Sequence, residues 1–205
     1  MQKTPNLERE TSNGPGDGEI LALIPAYNES QRVGRVIREA RNHLPVLVVD
    51  DGSSDSTADS ARQAGALVMR LSPNQGKGAA LRAGFKHALE TGCLAVLTLD
   101  ADGQHDPDDI PKFIDCFAAS KPDLIIGYRD FSQIPPVRRL ANSLGRVTFS
   151  WAVGRHIPDN QSGYRLINQR LMSGLISCNQ GGFEFEVEMI KFAIQKDYRI
   201  EWVPI

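Results

Sequence analysis

The stretch VLVVDDGSSDSTADSARQAG, residues 46–65, holds the fold in miniature. VLVVDD is a β-branched apolar run ending in two carboxylates, the pattern of a strand buried on both faces. Ser and Asp residues follow as candidate helix caps, and Gly65 stands where the helix would stop. A strand, a turn and a helix thus follow one another, with the charges gathered at the carboxyl end of the strand.

The same unit recurs on both sides. Before it, ILALIP at 20–25 reads as a strand, and SQRVGRVIREARNHL places Val33, Val36, Ile37, Ala40 and Leu44 at helical spacing. After it come a third strand in ALVMRLS, around 66–72, the loop PNQGKG, and a helix in AALRAGFKHALETG that Gly92 closes. CLAVLTLD and DLIIGY supply a fourth and a fifth strand; between them Asp106 is placed as an N-cap with Pro107 at the first helical position. This alternation predicts an α/β fold, a mainly parallel sheet flanked by helices on both faces, with ligands beyond the carboxyl ends of the strands.

From about Phe131 the alternation fails. PPVRRLANSLGRVTFSWAVGR reads as a helix mixing Arg138, Arg139, Arg146 and Arg155 with large apolar residues, FEFEVEMIKFAIQKDY as a second helix, and RIEWVPI as a closing strand. The expected organisation is a disordered tail over 1–19 and one domain over 20–205, in which an alternating strand-helix half (20–130) is followed by a largely helical half (131–205). The end at EWVPI, where a strand finishes, suits a catalytic domain that continues further in its natural setting.

The totals bound the function. A chain of 205 residues with 41 % hydrophobic content suits one domain with a core. A net charge of -2 removes the electrostatic case for nucleic acid. Cys93, Cys116 and Cys178 form no CxxC pair, which suits reduced thiols in a cytosolic protein and argues against zinc. No window approaches the roughly 20 apolar residues that cross a bilayer.

LTLDADGQHDPDD, residues 97–109, carries the chemistry. Asp100 and Asp102 end a strand and can aim oxygens at one hard cation, with the amide of Gln104 beside them; Mg²⁺ or Mn²⁺ suits such a site. Asp106, Asp108 and Asp109 read instead as the acidic first turn of a helix. An EF-hand does not fit, because Gly103 and Ile110 stand where its spacing fails. His105 is a neighbour of the ion rather than a ligand. NQGKG lacks P-loop spacing; Lys77 within it is either a phosphate contact or a turn residue.

Five segments in order, IPAYNE (24–29), VVDDGSSDST (48–57), NQGKGAALRAGF (74–85), LDADGQHDP (99–107) and QSGYR (161–165), resemble the family-2 glycosyltransferases of GT-A fold. Within that family the chain is similar to polyprenyl-phosphate sugar transferases of the dolichol-phosphate mannose synthase type. The resemblance implies a Rossmann-like GT-A domain whose nucleotide pocket is lined by Pro25, Tyr27, Glu29, Asp51, Asp100 and Ala101. Asp51 would accept from a base N–H, and Asp100, Asp102 and Gln104 would hold the metal bridging the diphosphate. The alternative for Tyr27 is a turn aromatic packed on the sheet, and for Asp50 a cap of the next turn.

The implied reaction moves a sugar from GDP-mannose or a UDP-sugar to a polyprenyl or dolichyl phosphate, with inversion, at the cytosolic face of a membrane. A hydroxyl acceptor needs a base, and Asp159 is the candidate. A phosphate acceptor needs a cationic cradle, for which Arg129, Arg138, Arg139 and Arg165 are candidates. Arg165 can equally anchor the QSGYR turn. The basic, apolar segment from Pro136 to Val153 either lies in a membrane interface or packs on its own domain. Phe183, Phe185 and Met189 are assigned to the core, and spacing leaves open which of Glu184, Glu186 and Glu188 faces the acceptor. Competing functions are transfer to a hydroxyl acceptor, a sugar-nucleotide pyrophosphorylase, against which PAYNE stands in place of a glycine-rich GxGxR-type loop, and a non-catalytic nucleotide-binding domain.

Overall fold

The computed structural model describes residues 6–7, 17–129, 157–177 and 185–205. A short unexpected strand, β1 (Asn6–Leu7), precedes the expected alternation, which is present as β2 (Ile20–Ala26), α1 (Val33–Ala40), β3 (Val46–Asp50), α2 (Thr57–Gln63), β4 (Leu67–Arg70), α3 (Lys77–Glu90) and β5 (Ala95–Thr98). A 3₁₀ turn (Pro107–Asp109) then leads into α4 (Ile110–Ser120) and β6 (Leu124–Tyr128). The described C-terminal part holds β7 (Arg165–Asn168), α5 (Gln169–Ser177), α6 (Phe185–Gln195) and β8 (Ile200–Pro204). The helix expected over Pro136 to Val153 lies outside the described residues.

One sheet runs in the order β1-β4-β3-β2-β5-β7-β6-β8. β2 pairs in parallel with β3 and β5, β3 with β4, and β6 with β8. β7 runs antiparallel to both neighbours, β5 and β6. Sequence patterning missed β7, because RLIN is four residues long and has no periodicity of its own, and it missed α5, although Leu171, Met172 and Leu175 stand at helical spacing there. The tail expected to be free also contributes to the edge, where Asn6 and Leu7 lie opposite Arg70 and Met69 in antiparallel register.

Alternation within the strands divides the core. Ala22, Ile24, Val46, Val48 and Leu97 face one way, against α1, α2 and α4; Leu21, Leu23, Leu47, Val49 and Val96 face the other, against α3, α5 and α6. All ten side chains are buried, as expected where helices cover both faces of a sheet. Phe185 and Met189 join the second layer, as expected. Cys93 and Cys116 are free thiols.

The chain turns back at β2: β3 and β4 build outward on one side of it, and β5 lies on the other. Such a reversal opens a crevice at the carboxyl ends of the two strands that flank it. β2 and β5 end in PAYNE and DAD, so the crevice is lined by those loops.

Candidate donor site at the strand ends

Two of the loops are stitched together by short polar side chains. The Asn28 N–H donates to Ser53 Oγ at 2.9 Å, the Glu29 N–H to Thr57 Oγ1 at 2.8 Å, and the Ser54 N–H to Asn28 Oδ1 at 2.9 Å. Of the Ser and Asp residues expected to cap α2, Ser53 serves the neighbouring loop instead, as does the Thr57 hydroxyl. Asp55 takes the start of α2, accepting the Thr57 N–H at 3.0 Å as well as the Thr57 hydroxyl. These bonds, the Thr57 hydroxyl first, hold the Asp55 carboxyl down at about 2. Asp50 caps the turn through the Ser53 N–H at 2.9 Å, and Arg70 stands 3.3 Å from its other oxygen.

Asp51 is buried and accepts the N–H of Gln75 at 2.8 Å and of Gly76 at 2.7 Å, one on each oxygen. It thus fixes the NQGKG loop from which α3 departs and sets the position of Lys77, the first residue of that helix. Gly52, at φ 76°, is required where it stands, because a Cβ there would lie 2.9 Å from the Asn74 nitrogen.

A cavity of about 320 Å³ opens between these loops. Pro25, Tyr27 and Glu29 line it from the end of β2, Asp51 from β3, Lys77 from α3, and Asp100, Ala101 and Asp102 from β5. Tyr27 is 50 % exposed, so it does not pack on the sheet. The Glu29 carboxylate meets Arg32 at 2.8 Å.

Asp100 is enclosed on three sides. Lys77 Nζ lies 2.6 Å from its Oδ1, and His105 Nδ1 lies 3.8 Å from its Oδ2. On the third side is the backbone of Gly163, where a Cβ would stand 2.6 Å from Oδ2. The antiparallel entry of β7 causes that approach: Thr98 pairs with Arg165, and Thr98 Oγ1 donates to the Gly163 carbonyl at 2.6 Å. QSGYR thereby meets the DAD loop across more than sixty residues of chain.

Lys77 has a second partner, Glu186 of α6, with Nζ 2.7 Å from Oε1. Burial pulls the Lys77 ammonium down, but the charges of Asp100 and Glu186 together outweigh it and set its pKa above the usual lysine value. Of the three glutamates that spacing left open, Glu184 lies outside the described residues, and Glu186 is the one of the other two shown to meet Lys77. No local signal singles out Glu186, since its place depends on how α6 docks.

His105 is buried, and its ring lies 5.0 Å from that of Tyr164. Burial lowers its pKa, with Arg129 and Lys77 adding to the effect and Asp100 and Asp102 opposing it, so the ring is neutral near pH 7. Gln104 donates its N–H to Asp102 Oδ1 at 2.9 Å, but it is exposed and lines a neighbouring cavity with Arg35 and Glu39 rather than the one holding Asp100. The expected trio of Asp100, Asp102 and Gln104 is thus present as two carboxylates in one cavity and an amide turned to the next.

Of the two readings of Arg165, its contacts are those of the anchor. It is 1 % exposed and donates to three backbone carbonyls, those of Ser162 at 2.7 Å, Glu186 at 2.5 Å and Asn160 at 3.3 Å. Burial pulls its pKa down to about 10, and it remains charged. It anchors the QSGYR turn to α6, and its guanidinium is engaged by these backbone carbonyls. Asp159 is buried too, and its Oδ1 accepts the N–H groups of Gln161 at 2.9 Å and Ser162 at 3.2 Å. Arg129 stands exposed just beyond β6, while Arg138 and Arg139 lie outside the described residues.

The sequence pattern of Glycosyl transferase family 2 matches residues 22–183. The chain belongs to that family. This glycosyltransferase is 30 % identical over 204 residues to an undecaprenyl-phosphate mannosyltransferase of Micrococcus luteus, covering 91 % of this chain and 82 % of that one. It is 31 % identical over 223 residues to a polyprenol monophosphomannose synthase of Mycolicibacterium smegmatis, covering 97 % and 83 %. The resemblance to polyprenyl-phosphate sugar transferases is therefore borne out. The fold of the glycosyltransferase is that of glucosyl-3-phosphoglycerate synthase from Mycobacterium tuberculosis, crystallised with Mn²⁺ and UDP-glucose, at a TM-score of 0.72 and 21 % identity over 91 % of this chain and 69 % of that one. That is a GT-A fold.

Proposed function

We propose that this glycosyltransferase moves a sugar from a nucleoside diphosphate sugar to a polyprenyl or dolichyl phosphate, with inversion at the anomeric carbon. The observation that carries the donor half is the convergence of Tyr27, Asp51, Lys77, Asp100 and Asp102 on one cavity at the reversal of the sheet. The exposed Tyr27 ring offers a face on which a base can stack, and the Lys77 ammonium offers charge to a diphosphate.

Asp100 and Asp102 fit a hard divalent ion, Mg²⁺ or Mn²⁺. They are paired oxygen donors in one cavity, and a cation, the Lys77 ammonium, already sits 2.6 Å from one of them. Among the described residues no group of three or more His, Cys, Asp or Glu side chains gathers on one point, so such an ion would complete its shell with phosphate oxygens or water. When bound, the ion stabilises the charge of the departing nucleoside diphosphate.

The acceptor oxygen forms the new bond to the anomeric carbon as the bond to the diphosphate breaks, and that electron pair leaves on the nucleotide. A phosphate monoester has its second pKa near about 6 and arrives largely ionised. It therefore needs no base, consistent with Asp159 being engaged in the turn before β7. Arg129 is the proposed acceptor contact within the described residues, and Arg138 and Arg139, further along the chain, are proposed to join it. No helix of the described residues is long and apolar enough to cross a membrane; the proposed contact with the cytosolic face of the bilayer is peripheral, through the segment from Pro136 to Val153.

The test is incubation with GDP-mannose or a UDP-sugar, Mn²⁺ and a short polyprenyl phosphate, following both lipid-linked sugar and free nucleoside diphosphate. Lipid product from the wild type and none from Asp102→Ala supports the proposal. Transfer to hydroxyl acceptors alone, or equal turnover by the two proteins, overturns it.

A further inference from the structure

One cation touches both the donor carboxylate and the acceptor-side helix. Lys77 Nζ lies within 2.6–2.7 Å of Asp100 Oδ1 and of Glu186 Oε1, so a single flexible side chain bridges the end of β5 and the first turn of α6. Both ends of the bridge are fixed. Asp100 is held against Gly163 and His105, and the Glu186 backbone is held by the buried Arg165. Lys77 itself is placed by the loop that Asp51 fastens, and its side chain, 42 % exposed, is the most exposed of the three.

We propose that Lys77 competes with the divalent ion for Asp100, and that Glu186 is the carboxylate that keeps Lys77 when the ion takes Asp100. An ammonium and a divalent ion cannot both lie against one carboxylate oxygen without strong repulsion. Glu186 gives the displaced ammonium an alternative partner at no cost in distance, because the contact already exists. Retained there, the ammonium still borders the cavity and serves an entering diphosphate. Lys77 therefore weakens binding of the ion by itself and strengthens binding of the ion together with nucleotide, a coupling that runs equally in both directions. Glu186 acts through Lys77 and is a positioning residue.

This inference rests on the proposed ion site at Asp100 and Asp102, and the experiment separates the two. Mn²⁺ alone is titrated into wild type, Lys77→Met, Lys77→Gln, Glu186→Gln, the Lys77→Met/Glu186→Gln double variant and Asp102→Ala, with bound ion read by electron paramagnetic resonance and folding by thermal unfolding. The two Lys77 variants are expected to bind Mn²⁺ about tenfold more tightly than wild type, a size limited by the partial exposure of Lys77. Glu186→Gln, which leaves Lys77 only Asp100, is expected to bind about tenfold more weakly, and the double variant to bind as Lys77→Met does. Steady-state KM for the donor should rise in the Lys77 variants. If folded Lys77→Met and Lys77→Gln bind Mn²⁺ no more tightly than wild type while Asp102→Ala loses it, the competition is refuted and the ion site stands. If Asp102→Ala binds as wild type does, or no variant binds at all, both fail.

Discussion

Replacing Gly163 by Ala tests whether the turn before β7 shapes the donor site. Gly163 does not have the left-handed backbone that only glycine tolerates, so the substitution introduces a contact rather than strain along the chain. Its Cβ would lie 2.6 Å from Asp100 Oδ2 and 3.1 Å from Cγ and Oδ1, where ordinary contact begins at 3.4 Å. The carboxylate must therefore retreat by about 0.8 Å, since Thr98 Oγ1 holds the Gly163 carbonyl at 2.6 Å. It cannot retreat freely, because Lys77 and His105 stand on its other sides. A misplacement near 1 Å costs about 10²-fold in turnover, whereas overpacking costs about 1–3 kcal/mol in stability. The variant should remain folded, with a Tm lower by about 2–12 °C, while kcat/KM falls by about two orders of magnitude and the Mn²⁺ requirement rises. A Gly163→Ala protein with unchanged kcat/KM and unchanged Mn²⁺ dependence refutes the contact.

Further outcomes follow from buried and capping groups. Arg165→Met leaves three backbone carbonyls without their donor and should cost about 3 kcal/mol or more; if Arg165→Lys instead raises only the KM for the acceptor with no fall in Tm, the anchor role is wrong. Asp51→Asn turns an amide donor toward the N–H of Gln75 or Gly76, costs about 1–3 kcal/mol, and should weaken nucleotide binding in thermal-shift titrations because Lys77 is set by that loop; unchanged binding counts against it. Asp55 has a folded pKa of about 2 against an ordinary 3.8, so its contribution is complete above the ordinary value and lost as pH falls towards 2. Wild type and Asp55→Asn should differ in denaturant midpoint near neutral pH and converge in acid, and a pH-independent difference would contradict the capping assignment.

The strands and helices from Ile20 to Tyr128 were legible in the sequence because they are local. Runs such as ILALIP and VLVVDD carry their own periodicity, and a repeated strand-helix alternation leaves only the carboxyl ends for a ligand. Pro25, Tyr27, Glu29, Asp51, Lys77, Asp100, Ala101 and Asp102 stand at those ends, and they line one cavity. Capping was legible in kind but not in assignment: Asp106 accepts the Asp108 N–H as expected, whereas the hydroxyls of Ser53 and Thr57 reach across to another loop.

What only the tertiary structure decided concerns contacts between segments distant along the chain. RLIN has no pattern that says it will enter antiparallel between β5 and β6, yet that insertion sets Gly163 against Asp100 and buries Arg165. Glu186 differs from Glu184 and Glu188 in no local property, and the docking of α6 alone brings it to Lys77. A strand's hydrogen-bond partner and a lysine's second carboxylate are fixed by closing long loops and by burying apolar faces. The amino-acid sequence thus determined which residues stand at the strand ends, and the packing of β7 and α6 determined what those residues touch.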